Sequence, residues 1–192
     1  KSQTINFTYD NINRLSAKDY TGDTGTEVTY SYDSGTDGIG RLTSYTSTPV
    51  NASYAYNAHG LVAEEIKTEN SVTYPTDYTY DRQGNILTII NPDSSKVRYA
   101  YNTAGQLETV ERRESTDSAY LDLVTDIDYG PHGLITNLVN VNGTTLSNTY
   151  DSTQMYRLTR KLVSATGGDP DADLTTTTIY ATVGDGFVAK TN

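Results

Sequence analysis

The chain has 192 residues, a formal net charge of -10 and an isoelectric point of about 4.5. That field repels a phosphate backbone and argues against a nucleic-acid partner. The absence of cysteine removes disulfide frameworks and zinc knuckles, and no apolar run approaches the ~20 residues of a transmembrane helix.

Lys1–Ile5 at the start contain no apolar h-region, so no signal peptide is visible. With 17 Tyr, 2 Phe and no Trp, and with abundant Thr, the composition is that of strands. Tyr suits a half-buried pleated surface, because its ring is apolar and its hydroxyl can reach a partner.

One short phrase recurs along the chain: an aromatic residue, any residue, Tyr, then Asp or Asn, a polar turn with Gly, and a Leu-type residue. The first copy is Phe7-Thr8-Tyr9-Asp10, leading to Leu15. The second is Tyr30-Ser31-Tyr32-Asp33, leading through Gly40 to Leu42, and the third Tyr54-Ala55-Tyr56-Asn57, leading through Gly60 to Leu61. The fourth is Tyr78-Thr79-Tyr80-Asp81 with Gly84, and the fifth Tyr99-Ala100-Tyr101-Asn102 with Gly105. Two weaker copies follow, Ile127-Asp128-Tyr129-Gly130 with Gly133 and Asn148-Thr149-Tyr150-Asp151 leading to Leu158. The second Tyr recurs at intervals of 23, 24, 24, 21, 28 and 21 residues, a period that signals a repeat architecture.

Residues 78–101 serve as the type unit. Tyr78 and Tyr80, two apart on a strand, share a face. Asp81 ends the strand, its carboxylate placed to bond amides two residues on. Gly84 supplies the positive φ of a tight reversal. Asn85–Ile90 read as the return strand, Asn91–Ser95 as a second turn and Lys96–Tyr101 as the next outgoing strand, with Val97, Tyr99 and Tyr101 on one face. Seven such hairpins predict about fourteen strands, and Thr175–Asn192 one further pair. A meander of that size must curl, split or close as twist accumulates.

Longer loops are expected at Asp19–Gly25, Glu114–Ser118 and Ser164–Asp173. No internal domain boundary is expected: residues 1–192 read as one array, clearest over 5–160, with 161–192 a degenerate terminal repeat carrying an acidic loop at 164–173.

The phrase resembles the YD repeats of bacterial Rhs proteins, of the C components of insecticidal toxin complexes and of animal teneurins. Tyr78–Leu107, reading Y-T-Y-D-R-Q-G-N-I-L, then N-P-D, then Y-A-Y-N-T-A-G-Q-L, carries the likeness best. The resemblance implies an all-β fold, an antiparallel meander of repeated hairpins forming a curved or spiralling sheet, part of a YD-repeat shell or barrel. In the bacterial relatives such a shell encloses a C-terminal effector; in teneurins it belongs to an extracellular adhesion module. Seven repeats are fewer than complete shells use, and the D-x-x-G-R…D-P-x-G core motif is missing. Asp169-Pro170-Asp171 lacks its Gly, so self-cleavage is not carried over. A fragment of a larger shell or a short stand-alone array is therefore expected, its open edges driving either self-association or a tight curl.

The repeated Tyr pairs could stack on sugars; we read them as the packed face of the sheet, since a repeat array buries a continuous face between neighbours. Asp10, Asp33, Asp81 and Asp151, with Asn57 and Asn102, could be a metal ladder; their place before a turn reads as capping. Asp169, Asp171 and Asp173 form a D-x-D-x-D stretch, the best calcium candidate, but the positions for an EF-hand Gly and Glu hold Leu174 and Tyr180, and a solvated acidic loop is the default reading. His59 and His132 each precede a turn Gly, a consequence of the repeat. Glu64-Glu65 and Glu111 with Glu114 read as solvent-facing charges, not a glycosidase pair. Three sequons, at Asn6, Asn51 and Asn142, matter only in a eukaryotic secretory route. No nucleophile elbow, P-loop or H-E-x-x-H occurs.

The sequence thus points to a non-catalytic, cofactor-free wall segment of a β-shell that encloses or presents an effector in an Rhs-like protein, secreted or at the cell surface, bacterial in preference to eukaryotic. Its expected partners are further YD repeats of the same or a parent chain and an enclosed polypeptide. The rival is an extracellular adhesion module recognising a surface glycan or a protein; a β-fold hydrolase is the third reading.

Overall fold

The computed structural model describes residues 4–22 and 25–165, together with the backbone of strands 176–183 and 186–190. Among the described residues every regular element is a β-strand, and the chain divides into two compact units, 1–96 and 97–192. The first holds β1 (Ile5–Tyr9), β2 (Leu15–Tyr20), β3 (Val28–Tyr32), β4 (Leu42–Ser47), β5 (Val50–Tyr56), β6 (Val62–Glu69), β7 (Val72–Tyr80) and β8 (Ile86–Ile90). The second holds β9 (Lys96–Tyr101), β10 (Leu107–Arg113), β11 (Leu121–Tyr129), β12 (Ile135–Asn140), β13 (Thr144–Asp151), β14 (Arg157–Ala165), β15 (Thr176–Val183) and β16 (Gly186–Lys190). Within each unit every strand pairs antiparallel with its successor in sequence, an uninterrupted meander.

The ladders correct two expected loops. Asp19 and Tyr20 belong to β2, paired with Asn6 and Ile5 of β1, and the Thr21 amide still bonds the Thr4 carbonyl, so that loop starts at Gly22. Ser164 and Ala165 extend β14, paired with Thr145 and Thr144. In both places the neighbouring strand offers backbone partners, and the ladder outweighs local loop composition.

Among the described residues few side chains are buried, Ala52, Ile127 and Thr43. The sheet in each unit is therefore stabilised through half-buried cross-strand pairs such as Tyr30 with Tyr45, whose rings lie 6.5 Å apart.

Candidate functional site

The feature that repeats with the phrase is the junction, or seam, between one repeat's turn and the next. It starts at the Asp or Asn after the second Tyr. In the third repeat the Asn57 amide donates to the Leu61 carbonyl and Gly60 N–H to the Asn57 carbonyl. Asn57 Oδ1 accepts from the His59 and Leu61 amides at 3.0 Å each. Asp81 does the same for Gln83 and Asn85, Asn102 for Ala104 and Gln106, and Asp10 for Ile12 and Arg14. Asp151 accepts from Thr153. These bonds hold the Asp10, Asp81 and Asp151 carboxyls below the usual carboxylate range, through the Arg14 amide, the Asn85 side chain and the Thr153 side chain respectively. Gly130 has no side chain to contribute, and its turn keeps only the backbone pair with Leu134 and Gly133.

Beside six of the turns the register slips. Tyr56 faces Val62 while Ala55 faces Glu64, so Ala63 is an extra residue in the return strand. Ser16, Thr43, Leu87, Thr136 and Thr159 stand in the same place in their repeats. Such a bulge interrupts the ladder and bends the strand. Two of the extra threonines use their hydroxyls there, Thr43 on the Ser31 carbonyl and Thr159 on the Thr149 carbonyl.

The bulge is where the next repeat attaches. The Tyr32 hydroxyl donates to the Leu15 carbonyl at 2.8 Å, Tyr56 to Leu42 at 2.5 Å and Tyr80 to Val62 at 2.7 Å. In the second unit Tyr129 donates to Leu107 at 2.8 Å and Tyr150 to Ile135 at 2.9 Å. Each acceptor is the residue that opens the return strand of the preceding repeat. Sequence reasoning named the tyrosines and missed their acceptors. The available signal was the six-residue distance from the second Tyr to the residue opening the return strand in most repeats, Tyr9 to Leu15, Tyr56 to Val62, Tyr101 to Leu107 and Tyr129 to Ile135, which lengthens to ten from Tyr32 to Leu42 and to eight from Tyr150 to Leu158.

The first Tyr of the pair packs on the same face. Tyr78 stacks on Tyr80 with centroids 6.5 Å apart. Burial, with the Glu65 carboxylate opposite, pushes the Tyr54 phenol up to about 12. Tyr99 and Tyr101 lie half-buried in β9. Tyr9 is the exception, 56% exposed on β1 with Phe7 at 50%.

Arg14 ties two turns together. Its Nε meets Asp10 at 2.7 Å, its two terminal nitrogens meet Asp33 at 3.0 and 2.6 Å, and its guanidinium lies 4.3 Å from the Tyr32 ring centre. With the Gly40 amide also donating to Asp33, at 2.6 Å, the Asp33 carboxyl is held down at about 2. In three places the residue after a turn reaches the following turn: the Arg41 guanidinium covers Gly60, Leu61 lies over Gly84 and Gln106 over Gly133.

Among the described residues no three His, Cys, Asp or Glu side chains gather as a metal set. Asp169, Asp171 and Asp173 lie outside the described residues. His59 sits on an exposed turn, and the His132 ring contacts Tyr156 at 3.7 Å. No helix among the described residues is long and apolar enough to cross a membrane.

A family model for the teneurin YD-shell matches residues 1–150. The chain belongs to the teneurin YD-shell family. A comparison with curated proteins returns no match. Solved structures similar to it include the crystal structures of TcdB2-TccC3, with TM-score 0.79, and of TcdB2-TccC3-Cdc42, with TM-score 0.78. The Photorhabdus luminescens Tc holotoxin pore follows with TM-score 0.75. All three are 15% identical to this chain and cover 93% of it, and the chain spans 10% of each of theirs. The likeness fixes the fold as the YD-shell meander, and this polypeptide is a structural segment of such a shell.

Proposed function

We propose that this YD-shell segment forms part of a secreted or cell-surface wall that encloses a polypeptide, and that its work is mechanical and not catalytic. The observation that carries the reading is the direction of the tyrosine seam. The second, third and fourth repeats, and the sixth and seventh, each half-bury their second Tyr by docking the hydroxyl on the carbonyl of the repeat before. Strand β1 presents the same donor and the same apolar side, Ile5, Phe7 and Tyr9, with none of it buried. A further YD repeat, of the same polypeptide or of a parent chain, completes that edge, and a wall grows by repeating the step. An acidic surface keeps such a wall soluble and discourages wrong edge pairing.

Light scattering with small-angle X-ray scattering over a concentration series tests it. Association that rises with concentration and is lost in Phe7→Ser/Tyr9→Ser supports the wall. A compact monomer at every concentration, with Tyr9 protected, overturns it and favours a self-contained binding module.

A further inference from the structure

Two of the turns that follow a return strand are built alike. After β8, the Ser94 amide donates to the Asn91 carbonyl at 2.8 Å, Ser94 has φ of 69°, and Asp93 Oδ1 accepts from the Ser95 amide at 2.9 Å. Between β12 and β13, the Gly143 amide donates to the Asn140 carbonyl at 3.0 Å, Gly143 has φ of 80°, and Asn142 Oδ1 accepts from the Thr144 amide at 2.9 Å. The second turn thus carries a carboxamide where the first has a carboxylate, and a glycine where the first has a serine.

Asn142 is the only asparagine of the chain that Gly follows. A carboxamide carbon, Cγ, is open to attack by the amide nitrogen of the next residue. A side chain on that residue shields the nitrogen, and Gly has none. The forward bond of Asn142 folds its side chain over the Gly143 amide, and the Thr144 N–H points at the oxygen on which negative charge develops. Asn57 and Asn102 make the same forward bond, to the His59 and Ala104 amides, but Ala58 and Thr103 follow them and both are half-buried. Asn142 is exposed at its hairpin end, open to water and base.

We propose that Asn142 is a site of spontaneous deamidation in the folded chain. Solvent base takes the Gly143 N–H proton, the nitrogen bonds to Asn142 Cγ, and the Cγ–Nδ2 bond breaks to release ammonia, leaving a cyclic imide. Water then opens the ring. Cleavage between Cγ and the nitrogen gives aspartate; cleavage on the main-chain side gives isoaspartate. In sum an amide and water become an acid and ammonia, with no oxidant or reductant. The aspartate product copies Asp93 and fits the turn. The isoaspartate product lengthens the turn backbone and disturbs the adjoining pair of Val139 with Thr145. Either product adds a negative charge to this hairpin end. The Gly143–Asn140 bond must open before the proton leaves, so the folded turn reacts more slowly than a free peptide. This inference stands apart from the wall reading and does not depend on it.

The test is a time course on the 192-residue chain in mildly alkaline buffer, with circular dichroism to show that the sheet persists. Peptide mapping with fragmentation that separates aspartate from isoaspartate reads each asparagine. Exchange of NH2 for OH is expected at Asn142 ahead of Asn57 and Asn102, and faster as pH rises. Gly143→Ser copies the Ser94 turn, so the hairpin survives, and conversion is expected to slow about tenfold. A synthetic peptide of residues 138–146 is the positive control. The proposal is overturned if the peptide converts while position 142 of the folded chain does not. It is equally overturned if Asn57 or Asn102 converts first, or if Gly143→Ser leaves the rate unchanged.

Discussion

The seam between the third and fourth repeats and the seam between the sixth and seventh are made of the same parts and close differently. In the first, Leu61 lies over Gly84, Asp81 caps a five-residue turn, and a polar hollow of about 170 Å³ remains, lined by His59, Asp81, Arg82 and Gln83. In the second, Gln154 stands where the Gly would be, the turn is longer by two residues, Leu134 is 36% exposed, and the hollow becomes a larger, partly apolar one. The tyrosine bond survives in both. The hydroxyl-to-carbonyl bond therefore sets the spacing of the repeats, and the turn decides whether the space between them is filled.

The largest expected effect follows from the ring itself. Tyr80→Ala should cost about 2–3 kcal/mol, below the ~3–5 of a fully buried aromatic because Tyr80 is half-buried. Tyr150→Ala should cost less, since that ring already borders a cavity. Tyr80→Phe isolates the hydroxyl and should cost about 1 kcal/mol. Urea midpoints measure all three. Equal losses at positions 80 and 150 would mean that the cavity carries no energetic consequence.

Next come the turn glycines, which separate backbone from packing. Gly60 has φ of +78° and Gly84 of +91°. An added Cβ at either pays about 1–2 kcal/mol for the left-handed conformation. At Gly84 it would sit 3.6 Å from Leu61, an ordinary contact, whereas at Gly60 it would sit 1.9 Å from the Arg41 guanidinium. Gly60→Ala should therefore exceed Gly84→Ala by the cost of moving Arg41 off its turn. Removing the cap in Asn57→Ala, which strips two amides of their acceptor, should cost about 1–2 kcal/mol.

Much of this was legible in the residues. The alternation of Tyr78 and Tyr80, the Asp81 before the turn and the period in the low twenties specify hairpins, because each depends on neighbours along the chain. The acceptors at Leu15, Val62 and Ile135 were not, since a main-chain carbonyl has no letter of its own and only a bulge aims it. The Arg14 bridge was half legible: Asp10 is four residues away, but Asp33 is 19 away and meets it only once two repeats stack. The seventh turn was open to counting, Tyr150 to Leu158 against Tyr56 to Val62. What counting could not give is where Tyr156 goes, because that depends on two left-handed residues, Met155 and Tyr156, that propensity disfavours.

The smallest effect separates turns by their capping atom. Where the cap is Asp10, Asp33, Asp81 or Asp151, the folded state holds the carboxyl below its ordinary value of 3.8. The stabilisation from such a group is complete above pH ~4 and is lost as pH falls through the folded value, about 2 for Asp33. Asn57 and Asn102 cap with amides and do not titrate. All four carboxylates are solvent-accessible, so each change is small and screened by salt; site-resolved amide exchange is the measurement to use. Between pH 4 and 2 the Asn85 and Thr153 amides, bonded to Asp81 and Asp151, should lose protection relative to the Leu61 amide, bonded to Asn57. The Gly40 amide, bonded to Asp33, should hold to the lowest pH, because Arg14 keeps that carboxyl ionised longest. Parallel loss at Leu61 and Asn85 would show that acid acts on the sheet as a whole and that the turns are not separate titrating units.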